Sequence, residues 1–378
     1  MRRLLLLALL AATPSLATAQ SSQFGIRGLG QPGRPYSART AATAGAFGLF
    51  DAESSLNPAA LDATTTVIAG FTGAQSYRSV ENPAGSESLR ESRFPLIMFA
   101  GPVRRIPMVL SVSYASYTNR DFTLATADTL AIREVLVPVS DTVGSRGGIS
   151  DLRFAASYRV APGWSVGGAF HVLTGSNRMT FDRTFADDGF EPVSQRAELS
   201  YSGVGGSIGT IRQIGPSLAV AALVRADGNA GVDRDSTPAY EVDLPYTFGL
   251  GLRWRPSTRL ELATQGLFRT WSGANSDLQL QGAPGAKNTV EVALGAEYVG
   301  DPRRPYRRPL RLGVRYGTLP FPILDGPQPK EFAASLGTGA RFAQQRGGVD
   351  LGLEYFRRSA GDYSENGVTL TLGVSVRP

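Results

Sequence analysis

A single histidine, His171, and no cysteine stand in a chain of 378 residues. Without cysteine there is no thiolate nucleophile, no disulfide framework and no thiolate metal ligand. With one histidine, nearly all imidazole-based catalysis and metal binding fall away. The many serines have only His171 as a partner base, and a triad is recognised by geometry rather than by sequence position. The carboxylates Glu261, Glu291, Glu297, Asp350 and Glu354 could pair as acid and base. Arginines stand beside them in the same segments, so the pattern reads as a salt-bridged wall. Gly205-Gly206 and Gly251 lie in strand-like runs rather than strand-to-helix turns, which excludes phosphate loops. No cofactor and no metal site is predicted.

The net charge is +6, carried almost wholly by arginine; Lys287 and Lys330 are the only lysines. No basic run alternates with stacking aromatics, so no nucleic-acid partner is expected. Residues 1–19 read as a secretory signal: Arg2 and Arg3, the apolar run Leu4 to Ala12, then Ala17-Thr18-Ala19 as the cleavage site. The mature chain is expected to begin at Gln20. No later run is apolar enough for a transmembrane helix, and the membrane structure that remains is a closed β-barrel.

From Thr66 onward, runs of about ten residues alternate apolar with small or polar, as membrane strands do. Strands are expected near 66–77, 94–103, 107–118, 149–160, 164–176, 195–212, 217–226, 241–255, 259–270, 288–299, 308–318, 331–343, 348–358 and 366–377. That makes about fourteen, an even number, spread over a barrel domain at 66–378. Tight turns such as Ala161–Gly163 and Pro256–Thr258 alternate with the longer segments 78–93, 119–148, 177–194, 227–240, 271–287, 319–330 and 359–365. Short periplasmic turns and long outer loops have this arrangement; a soluble sandwich has no reason for it.

Parity assigns the faces. Val368, Leu370, Leu372, Val374 and Val376 share one side of the last strand, and Leu310, Leu312, Val314 and Tyr316 share one side of another. An arginine facing lipid near the midplane costs roughly 2–4 kcal/mol, so the charged parity must face the lumen. With a turn centred near Arg303, Glu291 falls opposite Arg315 and Glu297 diagonal to Arg311; about Gln345, Arg341 faces Asp350. Such lumenal pairs contribute roughly 0.2–1 kcal/mol each. Tyr114, Tyr117, Tyr158, Trp164, Tyr246, Trp254, Trp271, Tyr298, Tyr316 and Tyr355 read as interfacial girdles.

The segment before the strands, residues 20–65, has a different texture. Ala38 to Leu61 is rich in Ala and Gly and ends in the Asn57-Pro58-Ala59 turn. Small residues allow backbone to lie close to backbone, which suits a plug inside the barrel; an ordinary Gly-rich linker has the same composition. Phe24, Ile26 and Leu29 are isolated apolar residues ahead of it and are ligand-contact candidates. The loop 119–148 adds Leu130, Ile132 and Leu136, either as a greasy landing site for ligand or as a hairpin extending the barrel.

Ala44-Gly45-Ala46, followed by the run from Asp51 to Leu61 through Asn57-Pro58-Ala59, resembles the FadL-type family of outer-membrane transporters for long-chain fatty acids and aromatic hydrocarbons. PorV/PorQ-like proteins look similar. Arg269-Thr270-Trp271-Ser272 and the Pro-rich loop Leu319 to Asp325 are further points of likeness. The last strand ends Val376-Arg377-Pro378, without the terminal aromatic common in such barrels. The resemblance implies a fourteen-stranded barrel with an N-terminal hatch in a bacterial outer membrane. It implies passive uptake of hydrophobic small molecules, with outer-membrane lipid, the ligand and the assembly machinery as partners. The rival implication is a scaffold for secretion or surface attachment, in contact with other envelope proteins. An outer-membrane enzyme is a third reading, disfavoured by the shortage of histidine.

Overall fold

Fourteen antiparallel strands close on themselves in the computed structural model. It describes residues 22–378 apart from Ala84, Arg133, Glu134, Asp188, Gln281, Pro284, 302–306, Leu324 and Asp325, and the predicted signal peptide lies outside the described residues. The wall strands are β1 (Ile68–Asn82), β2 (Gly85–Pro102), β3 (Met108–Asn119), β4 (Val135–Ala161), β5 (Trp164–Phe185), β6 (Val193–Ile214) and β7 (Leu218–Asp227). The second half comprises β8 (Tyr246–Trp254), β9 (Leu260–Arg269), β10 (Thr289–Tyr298), β11 (Arg307–Thr318), β12 (Lys330–Phe342), β13 (Gly347–Ala360) and β14 (Tyr363–Val376). β14 pairs with β1 from Val376↔Ala69 to Ser364↔Glu81, which removes both sheet edges.

Face assignment follows the alternation in the sequence. Val290, Val292 and Leu294 of β10 and Leu310, Leu312 and Val314 of β11 are exposed on the outside, while Glu291, Ala293, Arg311 and Arg315 are buried inside. Eight of the ten girdle candidates are exposed on the outer surface. Trp271 and Tyr117 are not: Trp271 is 2% exposed within the lumen, and Tyr117 packs against the same cluster.

The expected long loops are corrected in extent. β1 and β2 run to Asn82 and from Gly85, and β4 and β5 extend far past the expected strand ends, while β6 matches its expected range to within two residues. Beyond the bilayer both faces of a strand can be polar, so the alternation that marks a membrane strand is lost there. The segment 119–148 is a hairpin: the strand Phe122–Ile132 pairs with the outer part of β4. Asn229–Arg234 and Thr237–Asp243 form a second hairpin laid against β6. Segment 271–287 carries a short 3-10 turn and the helix Asn275–Leu280.

Register is corrected by two residues. Glu297, not Glu291, has an arginine directly opposite: it faces Arg311, while Glu291 faces Gly317 and lies diagonal to Arg315. The turn expected near Arg303 lies outside the described residues. Asp350 faces Gly339 and lies diagonal to Arg341, because Ala343, Gln344 and Gln345 of the intervening turn all take positive φ. A slip of two preserves the faces, since side chains alternate with period two.

The N-terminal segment lies within the lumen. Ser37 Oγ accepts from Thr40 N (3.1 Å) and starts the short helix Ala38–Ala41. Asn57 Oδ1 accepts from Ala59 N (3.0 Å), and its Nδ2 donates to Leu49 O (3.0 Å), which fixes the turn before Pro58. The wall gives way to this segment at glycines. A Cβ on Gly209 of β6 would lie 1.9 Å from Asn57 Oδ1, and one on Gly313 of β11 would lie 2.2 Å from Thr43 C. Contacts on such distant strands place the plug across the barrel.

Candidate functional site

The lumen divides into two regions. Toward the short-turn end, charges run unbroken from plug to wall and back. Arg39 Nε donates to Glu297 (2.9 Å), and Arg311 bridges Glu297 (2.7 Å) and Asp350 (2.7 Å). Arg341 joins Asp350 (2.7 Å) to the plug's Glu53 (3.5 Å), and Arg377 closes on Glu53 (2.6 Å). A cavity of about 750 Å³ opens here, lined by these groups and Arg253.

A second layer lies farther from the short turns, toward the long-loop ends of β10 to β14. The plug's Arg34 donates to Glu291 (3.0 Å) and Glu331 (2.6 Å), and Tyr36 OH donates to Glu291 (2.8 Å). Arg315 turns to Glu331 (3.0 Å) and Glu354 (3.0 Å), with Glu291 only at 3.9 Å. Arg358 links Glu331 (2.7 Å) to Glu365 (2.8 Å), where Ser22 Oγ also donates (2.6 Å). Removing one partner from such a buried set leaves a charge unpaired at a cost of several kcal/mol.

Against β4, β5 and β6, toward their long-loop end, the lumen is apolar. Leu29 of the plug packs with Ile149, Leu173, Tyr201, Trp271, Leu278 and Phe321. The Trp271 ring stands 5.2 Å from Phe321 and 6.5 Å from Tyr117. A cavity of about 550 Å³ adjoins this cluster, lined by Leu199, Met179, Tyr240 and Leu278 with Arg27, Arg120, Arg196 and Arg234 at its edge. Above it the outer parts of β4 and β5 are joined by Arg183 and Asp141 (2.6 Å), whose hydrogen bonds hold the Asp141 carboxyl below its usual range.

Beside the cluster the wall is interrupted. β2 and β3 pair only from Leu96↔Ala115 to Pro102↔Val109. Tyr117 is an extra residue in β3, since Ser116 faces Ser150 but Thr118 faces Ile149. The displaced backbone pairs inward instead: Gln31 and Pro32 of the plug take Asn119 and Thr118 as partners, and Gly33 N donates to Tyr117 O (2.8 Å). The stretch Gly85–Pro95 of β2 keeps β1 as its neighbour and has no strand on its other edge among the described residues. The result is a slot in the hydrogen-bond ladder, next to the aromatic trio.

No protein-family model and no curated protein matches the sequence. Solved structures do. A FadL homologue of Pseudomonas aeruginosa superposes with a TM-score of 0.63 at 13% identity, covering 92% of this chain and 99% of that one. The CymD monoaromatic hydrocarbon channel gives 0.58 at 16% identity, covering 92% and 98%. The P. putida toluene transporter TodX gives 0.57 at 11% identity, covering 91% and 99%. The chain has the FadL-type barrel fold.

Within this FadL-type fold, Leu29 reaches the apolar cluster, whereas Phe24 packs apart from it with Leu319 and Ala360. Ile26 is half-buried, and its carbonyl accepts from Arg120 Nε (3.2 Å). Leu130, Ile132 and Leu136 sit at the tip of the outer hairpin, opposite Val137, Val135 and Ala131 respectively, with Leu136 71% exposed. They are not brought to the other three. The plug residues Arg34 and Arg39 were missed as wall partners; they stand in a charge-poor segment whose other charges are Arg27, Asp51, Glu53 and Asp62, and that sparseness was the available signal. Trp271 and Phe321 were also missed as site residues, the first because it was assigned to a girdle.

His171 is held in an arrangement that sequence could not show. Its Nδ1 lies 2.9 Å from both Asp151 oxygens, and its Nε2 lies 2.9 Å from Ser207 Oγ. This matches the order of a nucleophile, base and orienting acid. Arg225 also binds Asp151 (2.7 Å), and Ser207 and His171 are both buried. None of the cavities described above is lined by Ser207. The group acts as a hydrogen-bonded tie between β4, β5, β6 and β7.

Proposed function

We propose that this protein is an outer-membrane channel for passive uptake of hydrophobic small molecules, and that it is not an enzyme. The observation that carries the reading is the meeting of an apolar cluster with the slot between β2 and β3, above an inner lumen filled with ion pairs. An apolar ligand gains nothing by entering that charged region, since it would displace water and partners from paired charges. It has a shorter way out sideways. The route begins in the cavity beneath the outer hairpins, passes Leu29, Trp271 and Phe321, and ends at the slot beside Tyr117 in the bilayer. The short-turn end then faces the periplasm.

The four arginines bordering the outer cavity favour an amphipathic acid over a plain hydrocarbon, because a guanidinium fork pairs with a carboxylate. Long-chain fatty acids are therefore the preferred substrate class. The similarity to channels described as carrying monoaromatic hydrocarbons and toluene supports the hydrophobic part of the reading.

The test is uptake of a labelled fatty acid, and separately of toluene, by cells that lack their own carrier and express this chain. Deleting Tyr117 should straighten β3 and close the slot. Uptake should then fall about tenfold, the effect of a ~1.4 kcal/mol change, while the barrel keeps its heat-modifiable gel mobility. Equal uptake before and after the deletion would remove the sideways route. Absence of uptake together with stoichiometric co-purification of envelope proteins would favour the scaffold instead.

A further inference from the structure

The outer surface of the wall carries an apolar notch of about 640 Å³ across β2, β3, β4 and β5, near the short-turn end. Its upper border is a row of bulky side chains, Phe99, Val112, Phe154 and Phe170, all exposed and set side by side by strand pairing. Two residues closer to the turns, the same face carries Gly101, Leu110, Ala156 and Gly168, so beside Leu110 the small residues Ala156 and Gly168 form a shelf under large ones. On the lumenal side of this wall Leu61, Ile68, Met98 and Val109 pack together, so the notch is a recess and not a passage. In a barrel this face is bathed in lipid, and what fills the recess is a hydrocarbon chain.

The charge below the notch selects the lipid. The turn between β2 and β3 holds Arg104 and Arg105, both exposed, with Arg105 at φ 73°. Neither forms an ion pair among the described residues. Arg159, at the end of β4, is neutralised by Asp62 at 3.0 Å, which leaves the local charge positive. Gly101 and Arg104 are three residues apart, about 10 Å of extended chain, so one lipid can reach both.

We propose that the notch and the Arg104–Arg105 turn bind one anionic glycerophospholipid, with an acyl chain in the recess and its phosphate on the two guanidinium groups. Arginine forks suit phosphate oxygens, and clustered basic residues at a membrane surface select anionic headgroups. The short-turn end faces the periplasmic leaflet, which makes a phospholipid the occupant rather than lipopolysaccharide. The proposal rests on the reading of this chain as an outer-membrane barrel, but not on its transport route.

The test uses the full barrel in nanodiscs containing equal phosphatidylglycerol and phosphatidylethanolamine, followed by release into detergent and native mass spectrometry. The wild type should retain one phosphatidylglycerol in preference to phosphatidylethanolamine. Ala156→Leu with Gly168→Leu fills the recess on a lipid-facing surface and should abolish retention of either lipid. Arg104→Gln with Arg105→Asn should keep a retained lipid but lose the headgroup preference. No preference in the wild type, or a preference that survives both pairs of substitutions, would overturn the proposal. Fatty acid uptake by the same variants reads the transport proposal independently.

Discussion

The two regions of the lumen are lined by different wall strands and do opposite things. At the short-turn end the inward residues of β10 to β13 are Glu297, Arg311, Arg341 and Asp350, and the plug answers them with Arg39 and Glu53. At the long-loop end the inward surface is Ile149, Leu173 and Tyr201, with Trp271 and Phe321 contributed by loops. A barrel that merely needed filling could use either solution throughout. The split means that one region fixes the plug by charge while the other presents a dry apolar surface. The interrupted ladder lies beside the second.

The comparison is broken most directly by removing the plug. Deletion of residues 22–61 takes away every charge partner from Arg34 to Glu53. Ion conductance across planar bilayers should rise severalfold, and an unchanged conductance would show that the plug does not obstruct the pore. Next in size is Arg315→Ala, which leaves Glu331 and Glu354 short of a partner deep in the wall. A loss of roughly 3–5 kcal/mol is expected, read as an earlier urea midpoint in the gel-mobility assay. Adding Glu291→Ala to it should deepen the loss, because Glu291 is paired chiefly with Arg34 and Tyr36. A double variant more stable than Arg315→Ala would restore the simple cross-strand pair expected from sequence.

The apolar end should respond differently. Trp271→Ala should cut fatty acid uptake about tenfold, by the equivalent of ~1.4 kcal/mol of lost ligand contact, with conductance left as it was. Equal effects on uptake and conductance would erase the distinction between the two ends. The smallest effect is expected above the membrane: Asp141→Asn weakens a half-buried cross-strand pair between β4 and β5 and should lower the unfolding midpoint only slightly, since one such pair contributes roughly 0.2–1 kcal/mol.

How much of this the sequence disclosed depends on what enforces the pattern. Lipid forbids charge on the outside of Leu310, Leu312 and Val314, so face and strand count were legible there, and closure followed from the need to pair every edge. Above the bilayer nothing enforces alternation, and the long upper parts of β4 and β5 read as loops. Register was off by two in β10–β11 because turn length, not side-chain pattern, sets it. The plug's partners were hidden for another reason. Arg34 and Arg39 meet glutamates some 257 and 258 residues away, and no local pattern records such a meeting. The slot beside Tyr117 left only an extra residue as its trace, invisible without the neighbouring strand.

The plug belongs to the earliest part of the chain to be made, and its anchors belong to the latest. Ser22 waits for Glu365 across 343 residues, and Glu53 waits for Arg377 across 324. Contacts of such high sequence separation form slowly, after the loop between them has been closed. Until β14 is in place, Glu53 has no Arg377 and Arg358 has no Glu365, and an unfinished barrel holds its plug weakly. Seating of the plug therefore reports completion of the last strand, and a truncated chain would be marked by an N-terminal segment left open to proteases.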